Sequence, residues 1–383
     1  MDVDARAVFL RFFGDLPDPR AANRRHLLHD LLVIAVLAVL CRCDDVEEIV
    51  AWGEAHEPWL RTFLDLPHGI ASPDTFERVL ARLDPLALER ALIAWAAALA
   101  EASGGRLIAI DGKSLRRSFH SAGATALVHM VSAWCEGNRL ALAQLATDQK
   151  SNEITAIPGL LELLDLKGAT VSIDAAGCQK AIAGKIVAGG GDYLLAVKKN
   201  QKGLHEAVGF YFDEAIREGW EGLPRLECQS VDGDHGRLET RRCWCVADTA
   251  WVKGQGQDWP GLRGLVCVEA DREVFGGKRS VERRYFITSH DPREVGAAFL
   301  LQAVRGHWGI ENRLHWCLDV CFREDESRVR KGHAAENLSR LRRLALNLLR
   351  KLPQTKRVKS LKNKRLLCSW DHDYLLKALT GPE

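Results

Sequence analysis

At 383 residues and 47% hydrophobic, the chain is too long for one compact core and calls for two or three domains. The formal net charge of +2 says little about partners, because it averages unequal segments. No acid lies between Asn337 and Ser369, where lysines and arginines run from Arg340 to Arg365, a block that suits a polyanionic partner or a solvated tail.

Eleven cysteines in a large chain with no N-terminal signal peptide read as reduced thiols in the cytoplasm. The apolar run Leu31–Cys41 falls short of the roughly 20 residues a membrane span needs, so it is expected to be a buried core helix. Residues 1–103 read as a helical domain. Acids at Asp44, Asp45, Glu47 and Glu48 open one helix, and Ser72-Pro73 opens another as N-cap and first residue. Ala91–Ala102 is a third. This region could bind DNA or serve packing and dimerisation; no base-reading face is visible.

From Arg106 the period changes. Leu107–Asp111 is a short apolar strand, and Ala126–Trp134 with Arg139–Ala146 form a hairpin turned at Glu136-Gly137-Asn138. A helix over Ile154–Leu164, a strand closing at Asp174, a helix over Gln179–Val187 and a strand over Tyr193–Val197 complete the series. Three strands, helix, strand, helix, strand is the order of an α/β, ribonuclease-H-like mixed sheet. This first part of the core spans 104–202. Alternating segments at Leu238–Val246, Gly264–Ala270 and Ser280–Ser289 predict an antiparallel β insertion over 203–293. Helices over 294–352 complete the core, and 353–383 is a basic C-terminal segment.

Asp111 and Asp174 close neighbouring strands, and Glu311 lies on the late helix. Carboxylates are hard ligands that bind Mg²⁺ or Mn²⁺ without closing its coordination shell, so two strand-end acids and one helix acid suit a two-metal attack on a phosphodiester. Cationic loops flank them: Lys113 and Arg116 after the first acid, Lys198 and Lys199 after the last core strand. His307, Glu311, His315 and Asp319 recur every four residues and are expected on one helical face. Glu311 is the expected metal ligand there, with the histidines near DNA. Trp308 and Trp316 are expected in the core, with stacking on an unpaired base as the other role for Trp308. Cys243-x-Cys245 and His315-x-Cys317-x-x-x-Cys321 lack the paired Cys-x-x-Cys spacing of zinc ribbons.

With these residues placed, the chain resembles the DDE-type transposases of the H-repeat-associated insertion-sequence family. The matching stretches are Phe13–Arg20, Ile110-Asp111-Gly112-Lys113, Lys150-Ser151-Asn152-Glu153-Ile154, Ile173–Gln179, Lys199-Asn200-Gln201, His235–Glu239 and His307–Trp316. The resemblance implies that Asp111, Asp174 and Glu311 form a catalytic, metal-binding triad. It also implies action on double-stranded DNA, at element ends and targets, by a homodimer at the nucleoid. Many transposases of the wider group carry Arg four residues before the Glu and Lys seven after it; here those positions are His307 and Leu318, and Arg305 or Arg313 would have to substitute. Arg237 joins the residues expected to face DNA. Two rivals stay open: a structure-selective nuclease using the same acids, and a non-catalytic DNA-binding repressor relying on the basic block. A glycosidase, which also needs two acids, would leave the basic tract unexplained.

Overall fold

The computed structural model describes residues 5–22, 24–99, 106–118, 127–147, 153–234, 236–354 and 358–380. Five helices come first: α1 (Ala5–Phe13), α2 (Leu28–Leu40), α3 (Val46–Leu60), α4 (Pro73–Arg82) and α5 (Pro85–Leu99). α2 is apolar on every side and is accordingly buried on every side, its lone acid Asp30 accepting from the Leu66 backbone N–H at 3.0 Å. Asp45 caps α3 by accepting from the Glu48 N–H at 2.8 Å, and the Glu48 carboxylate returns the favour to the Asp44 N–H. Ser72 stands at the N-cap position of α4 with Pro73 following, but its hydroxyl meets Thr75 Oγ1 instead of a backbone N–H.

The core follows as β1 (Leu107–Ser114), β2 (His129–Cys135), β3 (Leu140–Thr147), α6 (Glu153–Glu162), β4 (Thr170–Ile173), α7 (Lys180–Ala188) and β5 (Asp192–Val197). Then come α8 (Lys202–Arg217), β6 (Leu226–Asp234), β7 (Arg237–Val246), α9 (Ala250–Gly254), β8 (Gly264–Val274) and β9 (Arg279–Thr288). The strands form one nine-stranded sheet in the order β3-β2-β1-β4-β5-β9-β8-β7-β6. β1 pairs antiparallel with β2 and parallel with β4, and β4 pairs parallel with β5, giving the mixed centre of a ribonuclease-H-like fold. The inserted strands are antiparallel as expected and continue the same sheet, because β9 docks on β5 (Val197 opposite Tyr285). Three elements of that region escaped the sequence reading. α8 and the short α9 lie in a stretch read as β-rich, and β6 is an edge strand whose exposed Val231 breaks the inward pattern.

The chain ends in α10 (Pro292–His307), a π-helical segment (Ile310–His315), α11 (Trp316–Phe322), α12 (Ala334–Lys351), α13 (Leu361–Cys368) and α14 (His372–Thr380). α12, α13 and α14 share one hydrophobic cluster with α1–α5, while α6, α7 and α8 cover one sheet face and α10 the other.

The basic block is where the sequence misled. Arg340, Arg342, Arg343, Lys364 and Arg365 are buried, not turned to a polyanion. Glu89 of α5, fully buried, takes Arg340 Nε at 3.0 Å and Arg343 Nη1 at 2.8 Å, and also accepts from the Gln144 N–H of β3. Arg365 donates to the Val39 carbonyl at the end of α2 and to Asp44, and Lys364 to the last carbonyls of α12. Glu89 and Asp44, from the N-terminal region, supply the carboxylates of Arg340, Arg343 and Arg365, with Glu336 of α12 a second partner of Arg340, while Arg342 and Lys364 meet backbone carbonyls. Lys359 and Lys362 remain exposed.

Candidate active site

Two strands set the site. β1 and β4 pair in register only from Leu107–Thr170 to Ile110–Ile173, so Asp111 and Asp174 are the next residues on adjacent strands. Asp174 ends its strand by accepting from the Ala176 N–H at 3.0 Å, an Asx-type turn that fixes the carboxylate. Glu311 arrives from the far end of α10. Asp111, Asp174 and Glu311 line one pocket of about 270 Å³ together with Ser172, Lys198, Glu282, Arg284, His307 and Trp308. An adjoining cavity of about 420 Å³ shares Asp111 and Glu311 and adds Lys113, Arg116, His315, Trp316 and Asp319.

The electrostatics match a carboxylate cluster. Burial pushes the Asp111 carboxyl up to about 7, and the charges of Asp174, Glu153 and Glu311 push the same way, against a hydrogen bond from the Gly112 backbone. His315 Nδ1 stands 3.5 Å from Asp111 Oδ2, and burial drives this imidazole down to about 4, so it is neutral at pH 7. His315 Nε2 is buried with no partner among the described residues. His307 is also lowered by burial, and its Nδ1 meets the Ser172 hydroxyl at 3.1 Å. The two histidines therefore back different acids, His315 beside Asp111 and His307 on the β4 side.

That division corrects the single helical face expected for His307, Glu311, His315 and Asp319. α10 ends at His307, and the chain widens into the π-helical segment before α11 begins. Gly309 sits close against the end of β2: a Cβ there would meet the Glu136 carboxylate, itself held by Trp134 Nε1 and Arg313. The same shift overturns the core placement of the tryptophans. Trp308 is 47% exposed and Trp316 57% exposed, because the segment turns them outward at the two pockets. The Arg284 guanidinium lies 5.6 Å from the centre of the Trp308 ring.

The cations divide into groups. Lys198 and Arg284 line the triad pocket, and Lys199 is exposed on the next turn. Arg116 is 78% exposed, 3.1 Å from Asp325. Lys113 is committed inward: its ammonium bonds Asp319 and, at 2.7 Å, Glu324. Burial alone would lower its pKa, but these carboxylates outweigh that and hold it above the ordinary lysine value. Arg237 and Arg305 gather instead at a separate cavity with Arg241, Asp232 and Glu239, where Arg305 pairs with Asp232 at 2.9 Å. Arg313 pairs with Glu136. Arg284 and Glu282 of β9 were missed in the sequence; the alternating Glu282-Arg283-Arg284 run was a signal, but it gave no hint that β9 borders the site. Cys243 and Cys245 are buried side by side with their sulfurs 3.6 Å apart.

A sheet that presents two carboxylates from adjacent strands and a helical third in one pocket defines a nuclease-like or phosphotransferase-like class of protein. Comparison with known proteins narrows the class. A family model described as Transposase DDE domain matches residues 102–348, and one described as DDE_Tnp_1-associated matches residues 10–96. The chain is 35% identical over 372 residues to the H repeat-associated putative transposase YhhI of Escherichia coli K12, covering 96% of each chain. It is 49% identical over 284 residues to an uncharacterized protein in the dhlA 3′ region of Xanthobacter autotrophicus, covering 73% of this chain and 93% of the relative. Among solved structures, a piggyBac transposase synaptic complex with hairpin DNA aligns with a TM-score of 0.41 at 10% identity, over 100% of this chain and 83% of that one. The chain belongs to the DDE-type transposases, in the family that includes the H repeat-associated members.

Proposed function

We propose that this transposase cuts the phosphodiester backbone at the ends of its own insertion sequence and joins the freed 3′-hydroxyls to target DNA, using Mg²⁺ or Mn²⁺ held by Asp111, Asp174 and Glu311. The observation that carries the reading is the convergence of those three acids on one pocket with a basic, aromatic rim.

The residues fit a hard divalent ion. The donors are carboxylate oxygens, and among the described residues no cation neutralises Asp111: Lys113 is turned to Asp319 and Glu324, and His315 is uncharged. Among the described residues, no three side chains are already drawn together tightly enough to hold one ion. Mg²⁺ is commonly held by one or two carboxylates, with water and substrate phosphate filling the rest of its shell. When bound, such ions activate the attacking oxygen and stabilise the leaving one.

The protein's own groups supply the remainder. Lys198 and Arg284, on the rim, meet scissile-strand phosphates. Trp308, exposed beside the acids, offers its ring to an unpaired base, a contact worth roughly 1–3 kcal/mol. Lys113 contacts no phosphate in this account; it anchors the β1 end against α11. Joining requires two ends to be held together, so the working form is proposed to be a homodimer on double-stranded DNA, in the bacterial cytoplasm. No helix among the described residues is long and apolar enough to cross a membrane.

A pre-cut terminal-repeat duplex with a free 3′-hydroxyl, incubated with plasmid and Mg²⁺, tests the joining step. Joined products are expected. Hydrolysis without joining would leave a nuclease, and specific binding with no product would leave a repressor.

A further inference from the structure

One acid close to the site has no role in this account. Glu153 opens α6, directly after residues that lie outside the described part of the chain. Along β1 the side chains alternate: Ile108 and Ile110 pack under α6, so Gly112 and Ser114 continue that face, whereas Asp111 and Lys113 point to the other. Beyond Ile110, β1 is hydrogen-bonded only to β2, because β4 has already ended. The sheet is therefore notched beside Asp111, and groups from its two faces can approach one another there.

Glu153 is fastened at this notch. His129, 1% exposed on β2, brings Nε2 to 2.5 Å from Glu153 Oε1. The other ring nitrogen, Nδ1, meets the Ser114 hydroxyl at 2.9 Å. The imidazole thus stands between the Ser114 hydroxyl and the Glu153 carboxylate, with Nε2 in ion-pair range of Oε1 but making no hydrogen bond to it. Gly112 makes room: a Cβ there would collide with both His129 Nε2 and Glu153 Oε1. The missing side chain thus lets the pair press against the peptide next to Asp111. The helix N-terminus adds a favourable field for the charge.

We propose that Glu153 is a fourth carboxylate of the metal centre, delivered from the α6 face of the sheet and aimed by His129 through the gap left by Gly112. The inference rests on the metal-dependent reading above and extends it.

The test compares wild type, Glu153→Gln and Asp174→Asn by Mn²⁺ titration in the absence of DNA, read by electron paramagnetic resonance, with melting temperature and metal-free DNA binding alongside. Glu153→Gln should weaken Mn²⁺ at least ~10-fold, the low end for loss of a group that orients or completes a metal site, while leaving DNA binding unchanged. Wild-type Mn²⁺ affinity in Glu153→Gln, with Asp174→Asn impaired, would overturn the fourth carboxylate and leave the triad standing. Wild-type affinity in Asp174→Asn would instead overturn the triad reading itself. Should Glu153→Gln fold poorly, Glu153→Asp keeps the charge and should bind Mn²⁺ more tightly than the amide; equal weakness would refute the proposal.

Discussion

Removing Glu89 should damage the protein far from its chemistry. This carboxylate is fully buried and is shared by Arg340 and Arg343 of α12, at 3.0 and 2.8 Å, while also accepting from the Gln144 N–H of β3. Glu89→Ala would leave two guanidiniums in the interior with one negative partner fewer; Arg340 keeps Glu336 at 2.8 Å, and Arg343 loses its carboxylate. Breaking a buried pair from one side costs about 3–5 kcal/mol, a large share of a typical stability of about 5–15 kcal/mol. Because the chain has more than one hydrophobic cluster, the change should be read from the urea transition that includes α1–α5 and α12, followed by tryptophan fluorescence through Trp95. A companion variant with Glu89→Leu, Arg340→Met and Arg343→Leu removes all three charges at similar volume and should recover most of the loss. A Glu89→Ala penalty below about 1 kcal/mol would refute the clamp, since that is the scale of an exposed pair.

Two further outcomes follow from the site. Burial would raise the Glu324 carboxyl, but the charges of Lys113 and Arg342 and the Ser339 hydroxyl outweigh it and hold the group below its ordinary value. A depressed carboxylate contributes stability that is present above its unfolded pKa of about 4.3 and is lost as pH falls through the folded value. Acid melting curves below about pH 4 should therefore be shallower in Glu324→Gln than in wild type; parallel curves would remove Glu324 from the account. Gly309→Ala places a methyl against the Glu136 carboxylate, which Trp134 Nε1 and Arg313 hold in place; the resulting push on the π-helical segment should lower DNA cleavage at least ~100-fold, the scale set by a misplacement of about 1 Å. Its melting temperature should change by only a few degrees, and near-wild-type cleavage would show that the widened turn does not place Glu311.

What the sequence revealed and what it hid divide along physical lines. Both aspartates were legible because each follows a short, largely apolar run, and local periodicity marks such places well; β4 does end before Asp174, but β1 was expected to close at Asp111 and instead runs on to Ser114 beside β2. The π-helical segment was not. A spacing of four reads as one face only while the helix stays regular, and the widened turn sends His307 to the Ser172 side and His315 to Asp111. Trp308 and Trp316 went to solvent for the same reason. The buried arginines were hidden because Glu89 and Asp44, which hold them, are some 250 to 320 residues away. Glu153 stood in a quoted motif, yet its nearness to Asp111 depends on the end of β4 and on Gly112, which no spacing rule combines.

The central claim is that Asp111, Asp174 and Glu311 act together on DNA. Its most direct test is cleavage and joining of DNA carrying the element's own terminal repeats, in Mg²⁺, by wild type and by Glu311→Gln of equal melting temperature and equal DNA affinity. Wild type is predicted to give nicked and joined products that vanish in Glu311→Gln. Products made equally by both proteins would contradict the account.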